Sequence, residues 1–191
     1  MPVLRRMATR YRSLDLKDAE QLLCSPFHEE RLLSLFILAG QFRRGSEELR
    51  SSIYNTYVTN TAHINNWDLV DTSAEHIVGA WLENRDRAEL TELARSQSVW
   101  ERRIAIVSTF CYIKKGDPTE TIRIAEFLVD DRHVLIHKAV GWMLREVGKR
   151  CSIDAEEAFL DTHYKIMPRT MLRYALERFP ADRRAHYMAR T

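Results

Sequence analysis

The chain has 191 residues, 45% of them hydrophobic and 29% charged, a balance that suits one folded domain with a real core. Its formal net charge of +2 conceals a run of arginine-rich clusters along the sequence. No apolar stretch approaches the roughly 18 residues that span a bilayer, no signal peptide is visible, and Cys24, Cys111 and Cys151 form no CxxC pair. Neither a membrane span nor a disulfide scaffold is expected, and a reducing cytoplasm fits the cysteine usage.

Apolar periodicity predicts helices over 2–12, 15–24, 27–43 and 46–59, then a longer pattern over 64–84 that reads as broken. Helices follow over 86–95, 98–114, 118–130, 133–149, 154–164, 168–178 and 181–189. Asp15, Ser46 and Asp154 are placed as N-caps, and Pro118 and Pro168 suit first-turn positions. Glycine and proline fall between these patterns, and alternating β-branched runs with NG or DG turns are absent from the sequence. The fold class read from this is all-α.

An internal repeat organises the helices. "SPFHEERLLSLFILAGQFRRG" begins at Ser25 and "SQSVWERRIAIVSTFCYIKKG" at Ser96, aligned without a gap 71 residues apart, and each ends in paired basic residues and a glycine. Half that offset reaches "TAHINNWDLVDTS" near residue 61, and 35 residues beyond the second copy lies "DRHVLIHKAVGWMLREVGKR". Helix pairs repeating every 35–36 residues predict a HEAT-like helical-repeat solenoid over 1–191, with a concave basic groove. In this register Trp67 matches Arg31, Arg102 and His137. Asp68 matches Leu32, Arg103 and Lys138, and Asp71 matches Leu35, Ile106 and Gly141. Trp67 and Asp71, four residues apart, share one helix face. Lys138, Trp142 and Arg145 share another.

At "NNWDLVD", "WERRIAIV", "HKAVGWMLREVGK" and "MPRTMLRYALERFP" the chain resembles the AlkD-type DNA alkylation-repair glycosylases, nearly end to end. The resemblance implies excision of positively charged N3- and N7-alkylated purines from double-stranded DNA, without a metal or organic cofactor. It places Trp67, Asp71, Arg103 and Trp142 at the family's site. There the aspartate is catalytic, the tryptophans pack on the nucleotide sugar and backbone, and the arginine holds DNA. A monomer is expected. The chain begins at Met1 within the first helical pattern, where the family usually has further helices ahead of it, so these are expected to be missing. Asn66 stands where some members carry an aromatic residue.

These residue types suit that chemistry. A cationic purine leaves as a neutral base, and a carboxylate beside the resulting oxocarbenium-like sugar stabilises it. Arg103, Lys138 and Arg145 can hold phosphates. Arg102, Arg169 and Arg173 complete the expected DNA-binding set. His133 and His137 have i, i+4 spacing but no partner ligands in sequence, so no metal site is expected. Trp81 and Trp100 read as packing residues. Non-catalytic binding of structured or branched DNA is the alternative function.

Overall fold

The computed structural model describes residues 2–189; Met1, where the shortened start was placed, and residues 190–191 lie outside them. The described residues contain helices and no strand. In chain order they are α1 (Pro2–Arg10), α2 (Leu16–Leu23), α3 (His28–Arg44), α4 (Glu47–Thr59), a 3₁₀ turn (Thr61–His63), α5 (Trp67–Asp71) and a π-helical turn (Glu75–Gly79). Then come α6 (Ala88–Arg95), α7 (Val99–Ser108), α8 (Phe110–Ile113), α9 (Thr119–Leu128), α10 (Val134–Arg150), α11 (Ile153–His163), α12 (Arg169–Ala175), a 3₁₀ turn (Leu176–Arg178) and α13 (Ala181–Met188). No helix among them is long and apolar enough to cross a membrane. The helices fall into two compact units, Met1–Asp86 and Arg87–Thr191.

The first unit is built around α3, which packs against α1, α2, α4, α5 and the π-helical turn. Leu23, Leu35, Leu38, Ile53, Tyr57, Leu69 and Ile77 are fully buried and supply its core. Trp81 stacks on Tyr54 with ring centroids 5.5 Å apart, meets Phe42 edge-on and carries the Arg85 guanidinium over its ring, a packing role as expected.

The second unit is built around α10, which packs against α7, α8, α9, α11 and α12. Gly141 lets α10 and α12 approach closely, because a Cβ there would collide with the Met171 carbonyl and the Tyr174 side chain. Gly148 makes room in the same way for the buried Glu156 carboxyl of α11.

Local chemistry explains where the helices start and stop. Ser46 caps α4, accepting the Leu49 N–H at 3.4 Å, whereas Asp15 occupies the N-cap position of α2 without a side-chain capping bond. Asp154 is not a cap: Ser152 accepts the Ala155 N–H and starts α11 earlier, leaving Asp154 in the first turn, where a carboxylate favours the helix dipole. Pro118 and Pro168 stand one position before the first turns of α9 and α12.

Hydroxyls break the 64–84 pattern, which periodicity already reads as broken, and the 98–114 helix, which periodicity draws as continuous. Ser73 Oγ bonds back to the Leu69 carbonyl at 2.6 Å and Thr72 Oγ1 to Asp68 at 2.7 Å, ending α5 before the π-helical turn. Ser108, the repeat equivalent of Ser73, bonds back to Ile104 at 2.7 Å, and Thr109 to Ile106, dividing α7 from α8. Such back-bonding competes with the helix ladder. The same repeat position holds Ile37 in α3 and Met143 in α10, and both of those helices run unbroken.

The repeat is visible in atomic detail. Ser25 Oγ donates to Glu30 and accepts the Phe27 N–H at 3.1 Å, while Arg31 donates to the Ser25 carbonyl at 2.9 Å. Seventy-one residues on, Ser96 donates to Glu101 and accepts the Ser98 N–H at 3.0 Å, while Arg102 donates to the Ser96 carbonyl at 2.9 Å. In the last copy Asp131 accepts the His133 N–H, and the His137 ring reaches the Asp131 carbonyl at 2.5 Å. Arg31, Arg102 and His137 are thus loop clamps, one per copy.

Candidate functional site

Trp67 occupies this clamp position in the remaining copy, and it clamps nothing comparable: it opens α5 with 54% of its surface exposed. An indole with that exposure forgoes about half the burial gain that packed tryptophans secure. At the other end of the same short helix, Asp71 stands where the other copies bury Leu35, Ile106 and Gly141. Asp71 is itself half-buried. An aromatic face and a carboxylate therefore replace a clamp and a core residue one turn apart.

Three interactions hold this helix in place. Asp68 turns to His28 at the start of α3, with Nε2 and Oδ2 2.9 Å apart, so the two carboxylates of α5 have different surroundings. Tyr57, fully buried on α4, shares a hydrogen bond with Ser73, the two hydroxyl oxygens 2.9 Å apart, and Ser73 Oγ also lies 2.6 Å from the Leu69 carbonyl. Burial drives the Tyr57 phenol far above its ordinary range. The Ser73 hydrogen bond opposes that rise, and the negative charge of nearby Asp71 reinforces it. Sequence reading missed Tyr57, Ser73 and His28. Tyrosine and serine four or more turns apart carry no periodic signal, and only packing brings them together.

In the second unit Trp142 is half-buried and rests against Phe110, with centroids 5.7 Å apart. Lys138 is exposed on the same helix. Arg145 is ion-paired to Glu177 and, at 3.3 Å, to Glu146. Arg103 is only 5% exposed and donates to the Leu135 carbonyl at 2.6 Å. Arg102 is held by Asp131 at 2.6 Å besides the Ser96 and Gln97 carbonyls, so its guanidinium serves the loop rather than a free surface. Arg169 is exposed and reaches the Met188 carbonyl at 2.7 Å, and Arg173 is exposed. The rings of His133 and His137 are engaged in the loop before α10, His133 accepting the Leu135 N–H at 3.1 Å. Among the described residues no three His, Cys, Asp or Glu side chains gather where a metal ion could be held.

Comparison with known proteins identifies the family and the fold. A sequence model described as "DNA alkylation repair enzyme" matches residues 1–179. The fold is similar to that of a protein from Enterococcus faecalis described as a predicted DNA alkylation repair enzyme, with a TM-score of 0.68 at 15% identity over 92% of this chain and 82% of that one. It is also similar to the crystal structure of AlkD2 from Streptococcus mutans, with a TM-score of 0.66 at 19% identity over 94% of this chain and 90% of that one. No curated protein matches. By its sequence across nearly its whole length, the chain belongs to the DNA alkylation repair enzyme family.

Proposed function

We propose that the chain is a DNA glycosylase that hydrolyses the N-glycosidic bond of positively charged N3- and N7-alkylated purines. The observation that carries this reading is the pair on α5, an exposed Trp67 and a half-buried Asp71 at positions that other repeat copies use for a clamp and for core. Asp71 is the catalytic carboxylate. The alkylated base takes the glycosidic electron pair and leaves neutral, and positive charge develops on the sugar. A carboxylate about 4 Å away in a medium of effective dielectric near 20 stabilises that charge by roughly 4 kcal/mol. This is about a thousandfold in rate, as an upper figure. Asp71 also orients the water that attacks the sugar carbon and accepts its proton. Trp67 offers its π face to the same cationic centre, and Trp142 packs on the nucleotide sugar and backbone. Lys138, Arg145, Arg169 and Arg173 supply phosphate contacts on the second unit, and buried Arg103 contributes its charge there.

The test is release of 7-methylguanine from alkylated duplex DNA by the parent chain and by Asp71→Asn. Release by the parent and its loss in the variant, with DNA binding kept, supports the glycosylase. Binding of duplex or branched DNA by a folded parent that releases no base overturns it in favour of a non-catalytic DNA-binding protein.

A further inference from the structure

In the first unit, α1 packs against α3 yet buries none of its residues, and only Leu4 and Ala8 are even partly covered. Its other large apolar side chains face water. Val3 is 56% exposed, Met7 37% and Tyr11, one residue past the helix, 44%. Spaced four residues apart, the three lie in a single row along the helix surface. The far end of that row is held in shape. The Tyr11 N–H reaches the Met7 carbonyl at 2.9 Å, which continues the helical bonding. Gln41 of α3 donates its amide to the Leu14 carbonyl at 2.7 Å and the Arg12 carbonyl at 3.2 Å, anchoring the turn beyond.

The charge on this helix has one sign. Between Pro2 and Leu14 there is no Asp or Glu, whereas Arg5, Arg6, Arg10 and Arg12 are all exposed. Arg5 lies on the opposite side of α1 from Val3, over the Phe36 ring and 4.5 Å from its centre. Arg6 and Arg10, four residues apart, border the apolar row, and the Arg10 guanidinium sits 5.6 Å from the centre of the Tyr11 ring. Apolar side chains scattered singly on a surface need no explanation. Three in register beside two arginines form a pattern with a definite complement. A second copy of α1 is a poor one, because it sets arginine against arginine. DNA phosphates would engage the arginines and leave the apolar row in water. Another helix, carrying its own apolar stripe between carboxylates, satisfies both features at once.

We propose that this face of α1 is a docking surface for an acidic amphipathic helix of a partner protein. Apolar side chains of that helix, three and four residues apart, straddle the row of Val3, Met7 and Tyr11 as ridges pack into grooves. Carboxylates flanking them meet the guanidinium forks of Arg6 and Arg10. The apolar row supplies affinity, and the single sign of charge selects the partner. The surface lies wholly within the first unit and is independent of whether the chain excises a base.

The experiment is fluorescence anisotropy of the full chain with a labelled helical peptide of about 18 residues, built with leucines at helical spacing and glutamates on either side of them. Saturable binding is expected, at least about tenfold tighter than for the same peptide with lysines in place of glutamates. Met7→Glu should weaken the glutamate peptide at least about tenfold. Arg6→Glu/Arg10→Glu, which touches only exposed side chains, should do the same and should recover affinity for the lysine peptide. Arg132→Glu, exposed in the second unit, should change neither, and circular dichroism checks that each variant stays folded. Absence of saturable binding, or equal binding of the two peptides, would overturn the proposal. Three further results would also overturn it. Loss of affinity in Met7→Glu for an undamaged duplex but not for the peptide assigns the row to DNA. The same loss for phosphatidylserine vesicles assigns it to a membrane surface. A dimer in sedimentation that Met7→Glu dissociates assigns it to a second copy.

Discussion

Glu156 offers a sharp test of the packing described for the second unit. Its carboxyl is 2% exposed at the α10–α11 contact, seated in the space that Gly148 leaves open. Burial, reinforced by the neighbouring Glu157 charge and opposed by Arg145, pushes its pKa from 4.5 to about 8. Below pH 4.5 the carboxyl is protonated in both folded and unfolded chains, and it costs nothing extra. Between pH 4.5 and 8 the unfolded chain releases the proton while the folded one retains it, so stability falls by about 1.4 kcal/mol per pH unit. Above pH 8 both forms are ionised, and the accumulated loss levels off at about 5 kcal/mol. Glu156→Gln removes this ionisation at nearly constant volume. Whatever fixed cost the amide carries in the site is the same at every pH. The variant's stability relative to the parent should therefore rise by about 3–5 kcal/mol from pH 4 to pH 9. Urea unfolding followed by circular dichroism at the two pH values measures it. A difference that stays within about 1 kcal/mol across that range would refute the argument from burial.

Other substitutions separate structure from chemistry. Tyr57→Phe removes the hydroxyl that holds Ser73, and should lower stability by about 1–2 kcal/mol in thermal melts. It should also slow base release more than it weakens DNA binding, because the α5 end that carries Asp71 loses its anchor. Arg102→Met leaves the nearly buried Asp131 carboxylate without its guanidinium partner and should cost about 3 kcal/mol, seen as a lower melting temperature. Its DNA affinity, read by anisotropy, should stay near the parent's because the guanidinium serves the loop. Trp67→Ala should lower the melting temperature by only a few degrees, since about half of the indole is exposed, while base release in the 7-methylguanine assay falls at least about tenfold. Gly141→Ala, by contrast, should destabilise by about 2–3 kcal/mol in the same melts, because its Cβ meets backbone rather than a movable side chain.

Helix placement and the repeat were legible because both rest on local periodicity. Apolar spacing marks a helix wherever one face is buried, and the shared Ser-to-Glu and Ser-to-Arg spacing of the copies at Ser25 and Ser96 is built from contacts within a few residues. The same register aligns Trp67 with Arg31, Arg102 and His137, and Asp71 with Leu35, Ile106 and Gly141, while the exposure that sets Trp67 apart from the clamps belongs to the tertiary structure. Boundaries set by competing side-chain hydrogen bonds were less legible. Nothing in the apolar pattern says that Ser73 and Ser108 would turn back on their own helices, or that Ser152 rather than Asp154 would cap α11.

Tertiary structure alone decided what each polar side chain does. Arg102 and Arg103 are adjacent and chemically identical, yet one is locked to Asp131 and its loop and the other is buried against Leu135. Tyr57 reaches Ser73, Asp68 reaches His28, and Lys114 and Arg150 meet over Phe110 only because distant helices pack together. Periodicity reports which face of a helix avoids water, through a burial energy that depends on area and not on direction. Hydrogen bonds and ion pairs depend on distances of a few ångströms between particular atoms, and only the packed fold sets those distances.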